Sequence, residues 1–373
     1  MGIVTFVRHE WTPTLGPRDP IRPGEKLDLA ISLARVVVVN GRASHAGSIS
    51  GSFFSLMLES QLLATALDNT ETGGVHSLRR SRAFDCSSLH IKSFVITSAG
   101  LGLLTASLES LIIQERLEPF QVQHFDLMPA TTPKGPSGGN SRPDLLINLP
   151  DGRLLVGEAK GRRNGSERIT QDKRKFLKKL HAWTSSSEYE GCPLALSWAS
   201  ILEDKTIVSL FHTDPDKDVE PVPEDRQDHQ PAYSERLVAE PPDVILPPEP
   251  AVLDREWEDV ARNLTEVTLR EYRDDPLFWS APEPLPENHF LAGVPIRGEW
   301  SSLGSSGRSI FVGVFKQPPE GESLVRIRRA YAAGLERNAV SPLDVATEGR
   351  LLFAIAQNRE LATWRALRRT IEG

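Results

Sequence analysis

Cysteine is nearly absent. The 373 residues hold two, Cys86 and Cys192, and neither sits in a zinc-finger spacing. That excludes a disulfide scaffold and points to a reducing compartment. No run reads as long and apolar enough to cross a membrane. A signal-peptide pattern is also missing, so no membrane partner and a cytoplasmic location are expected. Positive charge is not in excess either: 43 Lys and Arg face 50 Asp and Glu, a net charge of −7. A protein coated in basic surface is excluded, while a local basic groove in an acidic molecule is not. No internal repeat or RNA-recognition signature is found. Hydrophobic residues at 39% and charged residues at 25% describe a globular chain with room for two or three domains.

The chemistry concentrates in residues 141–163, SRPDLLINLPDGRLLVGEAKGRR. Leu145 to Leu149 and Arg153 to Val156 have strand composition, and Pro150-Asp151-Gly152 between them is a turn signal. A three-residue loop, with Gly152 in the left-handed position, pairs Leu149 with Arg153. Asp144 then falls opposite Glu158, and Lys160 shares the face of Glu158. A two-residue Asp151-Gly152 turn would set Asp144 opposite Ala159 and weaken the convergence. Two close carboxylates either share a proton or hold a cation. Magnesium suits such oxygen ligands, and a lysine beside them can stabilise transition-state charge. Gly157 and Ala159 leave the backbone around Glu158 open.

Pro143-Asp144, thirteen residues, then Glu158-Ala159-Lys160 resembles the PD-(D/E)XK nucleases, the restriction-endonuclease-like fold. The resemblance covers residues 98–213. It implies an α/β core, a mixed sheet flanked by helices, and direct hydrolysis without a covalent intermediate. It also implies magnesium, with manganese as a substitute, held by Asp144, Glu158 and the Ala159 carbonyl, with Lys160 as the catalytic lysine. Many members carry a further glutamate on the first helix. Glu109 is favoured for that catalytic role, Glu115 competes, and Glu59 is a remote third candidate. Gln171 stands where some members place a glutamine, but the tyrosine expected four residues later is Lys175.

The flanks fit that order. Residues 100–118 read as an amphipathic helix stopped by Pro119, and Phe120 to Leu127 as a strand. Residues 168–183 read as a helix, and Leu194 to Leu202 and Thr206 to His212 as strands. A basic run follows the motif, including Arg162, Arg163, Arg168, Lys173 and Arg174. Such runs are usually a solvated face, but beside a nuclease-like motif these residues are expected to contact phosphates.

The remainder divides into an N-terminal region, 1–97, an acidic Pro-rich linker, 214–252, and a mainly helical C-terminal accessory region, 253–373. Arg35 to Asn40 reads as a buried strand and Gly51 to Asp68 as a helix, in a region expected to wrap the core. Asp254 to Arg273, Leu324 to Gly334 and Thr347 to Ile371 read as helices, and Ser309 to Phe315 as a strand. Phe6-Val7-Arg8-His9-Glu10 resembles the start of histidine phosphatases, but Glu10 replaces the glycine and no second histidine motif follows.

The expected function is a metal-dependent endonuclease acting on DNA. By family analogy it would serve restriction or anti-phage defence, work as a homodimer, and sit beside a partner ATPase or sensor protein. The alternatives are a nuclease-like module that binds nucleic acid or a partner without cutting, and a small-nucleotide phosphoesterase.

Overall fold

The computed structural model describes residues 1–13, 21–43, 59–69, 76–114, 121–124, 142–148, 153–165, 167–187, 189–213, 289–303, 307–336 and 343–373. The linker 214–252, Asp254 to Arg273, Glu115 and the hairpin loop 149–152 lie outside them. The fold class is α/β: a mixed sheet flanked by helices, and a separate antiparallel sheet.

The first sheet has seven strands. In chain order they are β1 (Gly2–Trp11), β2 (Ile21–Ile31), β5 (Gln121–His124), β6 (Leu145–Asn148), β7 (Leu154–Arg162), β8 (Leu194–Ile201) and β9 (Thr206–His212). In space they run β2-β1-β9-β8-β7-β6-β5. Strands β5, β6 and β7 form an antiparallel meander, and β8 lies parallel to β7. Strand β1 pairs in parallel with β9, so the N-terminal segment extends this sheet rather than wrapping it. A short ribbon, β3 (Leu67–Asp68) with β4 (Arg79–Arg80), sits apart.

The helices explain what covers each face. Helix α1 spans Leu33–Ala43, residues 59–66 form the described part of α2, α3 is Arg82–Cys86, and α4 is Leu89–Gln114. Helix α5 (Gln171–Thr184) packs on the opposite face of the sheet from α4. The segment Leu89–Leu111 is in fact long and apolar enough to cross a membrane by length and composition. That corrects the sequence expectation. Here it is a core helix: Val95, Ala99, Leu103, Leu104 and Ala106 are buried in the cluster shared by the first sheet and α1.

Helix α1 also overturns an expectation. Four consecutive valines, Val36 to Val39, favour a strand by propensity. They are helical because Asp344, far along the chain, accepts hydrogen bonds from Leu33 N (2.7 Å) and Ala34 N (3.3 Å). Ser32 Oγ donates to the same carboxylate at 2.7 Å and accepts from Arg35 N at 2.9 Å. The free amides of the first turn are thereby satisfied, and burial of the valines outweighs their propensity.

The described C-terminal part is not mainly helical. Strands β10 (His289–Leu291), β11 (Val294–Ser302), β12 (Ser309–Phe315), β13 (Leu343–Glu348) and β14 (Leu351–Ala356) form an antiparallel sheet ordered β10-β11-β12-β14-β13. Helices α6 (Gly321–Glu336) and α7 (Trp364–Glu372) cover one face. The other face, with Ile310, Val312, Phe353 and Ile355, joins the core around α1 and α4. Strand β14, Leu-Leu-Phe-Ala-Ile-Ala, is buried on both sides. Its apolar run therefore has no alternation, and without alternation a buried strand resembles a helix.

A Cβ at Gly102 would lie 2.3 Å from the Val36 carbonyl oxygen, between α4 and α1. Gly→Ala in a helix interior ordinarily stabilises by about 1 kcal/mol. Gly102→Ala is expected to reverse that sign and cost ~1–3 kcal/mol through overpacking. A lower urea midpoint would show it; an unchanged or higher midpoint would contradict the contact.

Candidate functional site

The hairpin register is the one that a three-residue loop requires. Leu145 pairs with Gly157, Leu146 with Val156, Ile147 with Leu155 and Asn148 with Leu154. Continuing it one step sets Asp144 opposite Glu158. The Asp144 amide donates to the Gly157 carbonyl at 3.0 Å, and its Oδ2 accepts from Ala159 N at 2.7 Å. Lys160 Nζ pairs with Glu158 Oε1 and lies 3.8 Å from Asp144 Oδ2. The three expected side chains therefore meet.

Alternation along β7 decides which face they use. Gly157 and Gly161 turn toward α4: a Cβ at Gly157 would touch Leu104, and one at Gly161 would lie 1.8 Å from the Ile96 carbonyl oxygen. Glu158, Lys160 and Arg162 turn the other way, toward α5. Lys160 Nζ stands 5.1 Å from the centre of the Phe176 ring, and the Arg162 guanidinium stands 4.3 Å from Trp198. These aromatic platforms hold both cations in place.

Glu158 is 7% exposed. Burial, and then the neighbouring Asp144 carboxylate, push its pKa from 4.5 up to about 7, against the opposing pull of Lys160. The described residues contain no group of three or more His, Cys, Asp or Glu able to hold a metal. The oxygen donors at this point are two carboxylates and the adjoining main chain.

The other sequence candidates separate. Glu109 is not part of this cluster. It lies on α4, across the sheet, where Arg35 grips it through Nε (2.8 Å) and Nη2 (2.5 Å), and Tyr331 OH donates to it at 3.0 Å. Arg35 Nη1 also reaches Glu348 at 2.6 Å. Burial disfavours the guanidinium charge, but Glu109 and Glu348 outweigh it and keep Arg35 firmly protonated. Glu59 is described, but no contact joins it to the hairpin.

Lys173, expected on a phosphate-binding surface, is buried at 1% exposure. Its ammonium sits 5.6 Å from the Phe211 ring centre and 5.8 Å from that of Trp198. Burial lowers its pKa to about 8 despite Glu167. Position along a charged run does not by itself say which helix face a residue takes. Lys173 falls on the stripe of Leu177 and Leu180, which faces the sheet. Arg163 and Arg168 are exposed, Arg162 and Arg174 half-buried, and Gln171 is exposed in the first turn of α5. His9, set aside in the sequence with the phosphatase-like Arg8-His9 start, is buried on the same sheet face as Glu158. The Arg8-His9 pair was its only signal.

Comparison with family models, with curated proteins and with solved structures finds no match.

Two outcomes follow from this geometry. Because the folded pKa of Glu158 is raised, the folded state holds a proton that the unfolded chain releases above about pH 4.5. Stability contributed by Glu158 should fall as pH rises from 4.5 to 7 and then level off. Glu158→Gln should remove that fall, gaining up to about 3 kcal/mol on wild type between pH 4.5 and 8. Parallel melting curves across this range would show no relative gain if the carboxyl is not perturbed. Glu109→Gln should instead destabilise by about 3 kcal/mol, by unpairing a buried ion pair, while leaving the hairpin cluster intact. A denaturation midpoint equal to wild type would contradict it.

Proposed function

We propose that the chain is a magnesium-dependent nuclease of the restriction-endonuclease-like fold, an endonuclease hydrolysing phosphodiester bonds in DNA. The observation that carries the reading is the gathering of Asp144, Glu158 and Lys160 at the open end of one hairpin. The element order supports it: helix α4, the antiparallel meander β5-β6-β7, helix α5, and β8 returning parallel to β7.

The donor set fits a hard divalent cation. Two carboxylates already gather around one positive charge, the Lys160 ammonium. Asp144, Glu158 and the Ala159 carbonyl would hold magnesium, or manganese in its place. When bound, such an ion supplies positive charge for the reacting phosphate and acidifies water. The chain's own groups do the rest. Lys160, fixed between Glu158 and the Phe176 ring, presents its ammonium where negative charge grows on a phosphate oxygen. Asp144 is oriented by the Ala159 amide, which fixes its carboxylate beside Glu158 and Lys160. Glu158, partly sealed from water, holds its charge only with a cation close by.

Phosphate contacts at the exposed surface are assigned to Arg162, Arg163, Arg168 and Arg174; Lys173, being buried, is not part of that surface. Glu109 is assigned a structural role. A cytoplasmic location, a homodimer that cuts both strands, a partner ATPase or sensor, and service in restriction or anti-phage defence belong to the same proposal.

Purified protein with magnesium or manganese should nick or linearise plasmid DNA. Lys160→Ala should lower the rate by about a hundredfold or more, with an unchanged circular dichroism spectrum. Equal cutting by wild type and the variant would remove the hairpin from the mechanism. Cutting by neither, at saturating metal, would favour a binding module.

A further inference from the structure

Some 14 Å from Glu158, three strand spacings across the same sheet face, lies a second polar group that the hairpin does not use. The row runs Glu158, Leu196, Phe211, His9, each paired with the next. His9 is 3% exposed, and its ring stacks on Phe211 at 4.5 Å between centroids. Neither ring nitrogen has a hydrogen-bond partner among the described residues. A buried imidazole must present one donor and one acceptor, and leaving both unmet is costly.

The surroundings select the kind of partner. The Lys173 ammonium reaches down from the first turn of α5 over the same Phe211 ring. That turn is the positive end of a 14-residue helix. Burial, and then Lys173, drive the His9 pKa down to about 4, with Glu167 opposing and His212 adding a little. A metal cation is disfavoured beside that ammonium, whereas an anion is attracted by it and would give the His9 ring the partner it lacks. One carboxylate already acts there: Glu167 offsets the burial of Lys173 and of His9. It is held from outside by Lys26 at 2.7 Å, with side chains 57% and 38% exposed for Lys26 and Glu167. A pair that exposed is weak and opens readily.

We infer that His9 and Lys173 form a second anion site, which takes a phosphate group of the nucleic-acid strand lying across the hairpin, with Glu167 as the carboxylate it displaces. The site rests on the nuclease reading for its strand, but not for its anion chemistry. The phosphate would accept from Lys173 and from one ring nitrogen of His9. The spacing from Glu158 is too long for one phosphate and suits separate phosphates of the same strand. The site would hold the strand in register, as a positioning element, while Asp144, Glu158 and Lys160 act on another phosphate.

The test is a titration of the histidine ring signals by NMR, on the full chain carrying Lys160→Ala so that nothing is cut. His9→Gln identifies the signal. The probes are inorganic phosphate, a nucleoside monophosphate, and single-stranded oligonucleotides with and without a 5′ phosphate. Inorganic phosphate and the oligonucleotides should shift the His9 signal and raise its pKa. Lys173→Met keeps the ring contacts and should weaken the effect by about tenfold or more, the loss of one charge-assisted bond. Glu167→Gln should strengthen it several-fold. A stronger response with the 5′ phosphate would place a strand end there; an equal response would place an internal phosphate. No shift with any probe overturns the site. A shift with inorganic phosphate or the monophosphate alone overturns its assignment to a strand. A strand-induced shift in a protein whose wild type never cuts would sink the nuclease reading and leave this one standing.

Discussion

Everything at the hairpin depends on how closely α4 can approach β7. A Cβ at Gly100 would lie 2.5 Å from the Gly161 amide nitrogen, and one at Gly161 would meet the Ile96 carbonyl. Two glycines facing each other let a helix backbone rest directly on a strand backbone. Gly161 lies next to Lys160 and Gly157 next to Glu158, so the residues without side chains turn toward the helix. Their charged neighbours must then turn away, because alternation along a strand is strict. The same helix meets α1 through Gly102 and Val36. Small residues at both contacts seat α4 between the first sheet and α1, and α1 in turn packs on β13 and β14.

The C-terminal sheet is coupled to α1 by charge as well as by apolar packing. Asp344 on β13 caps α1 across more than three hundred residues of chain and lies 3.4 Å from the N-terminal amine of Met1. Within the same first turn of α1, Arg35 reaches Glu348 and the Thr347 carbonyl on the same strand. Helix α1 therefore takes the cap of its first turn from β13. This is a long-range condition on a local structure.

That condition explains what could be read from the amino-acid sequence and what could not. The hairpin register was legible because a turn signal and a two-residue period act within twenty residues. Strand β12 was legible as well, and its bounds, Ser309–Phe315, are those read from the sequence. Helix α1 was not, since its cap arrives from residue 344. Strand β14 was not, since burial on both faces removes its period. Strand β1 was not read either, although β2 pairs with it from within thirty residues; its other partner, β9, lies about two hundred residues away. At the site, Asp144, Glu158 and Lys160 follow from local register. Separating Glu109 from them required knowing which face of the sheet α4 covers.

The contrast between the two acidic clusters also shows why proximity to a motif is a poor guide to role. Around Arg35, both carboxylates, the guanidinium and the Tyr331 hydroxyl complete one another, and all are shielded from water. A closed network of this kind has no oxygen to offer a substrate, and breaking it costs stability. At the hairpin, one lysine serves two carboxylates, and Asp144 and Lys160 stay 35% and 21% exposed. Two carboxylates close together repel, and burial of Glu158 adds to the cost of its charge. A cation arriving from solvent would offset both costs. That asymmetry, rather than the spacing of the letters, is why the proposed chemistry is assigned to the hairpin.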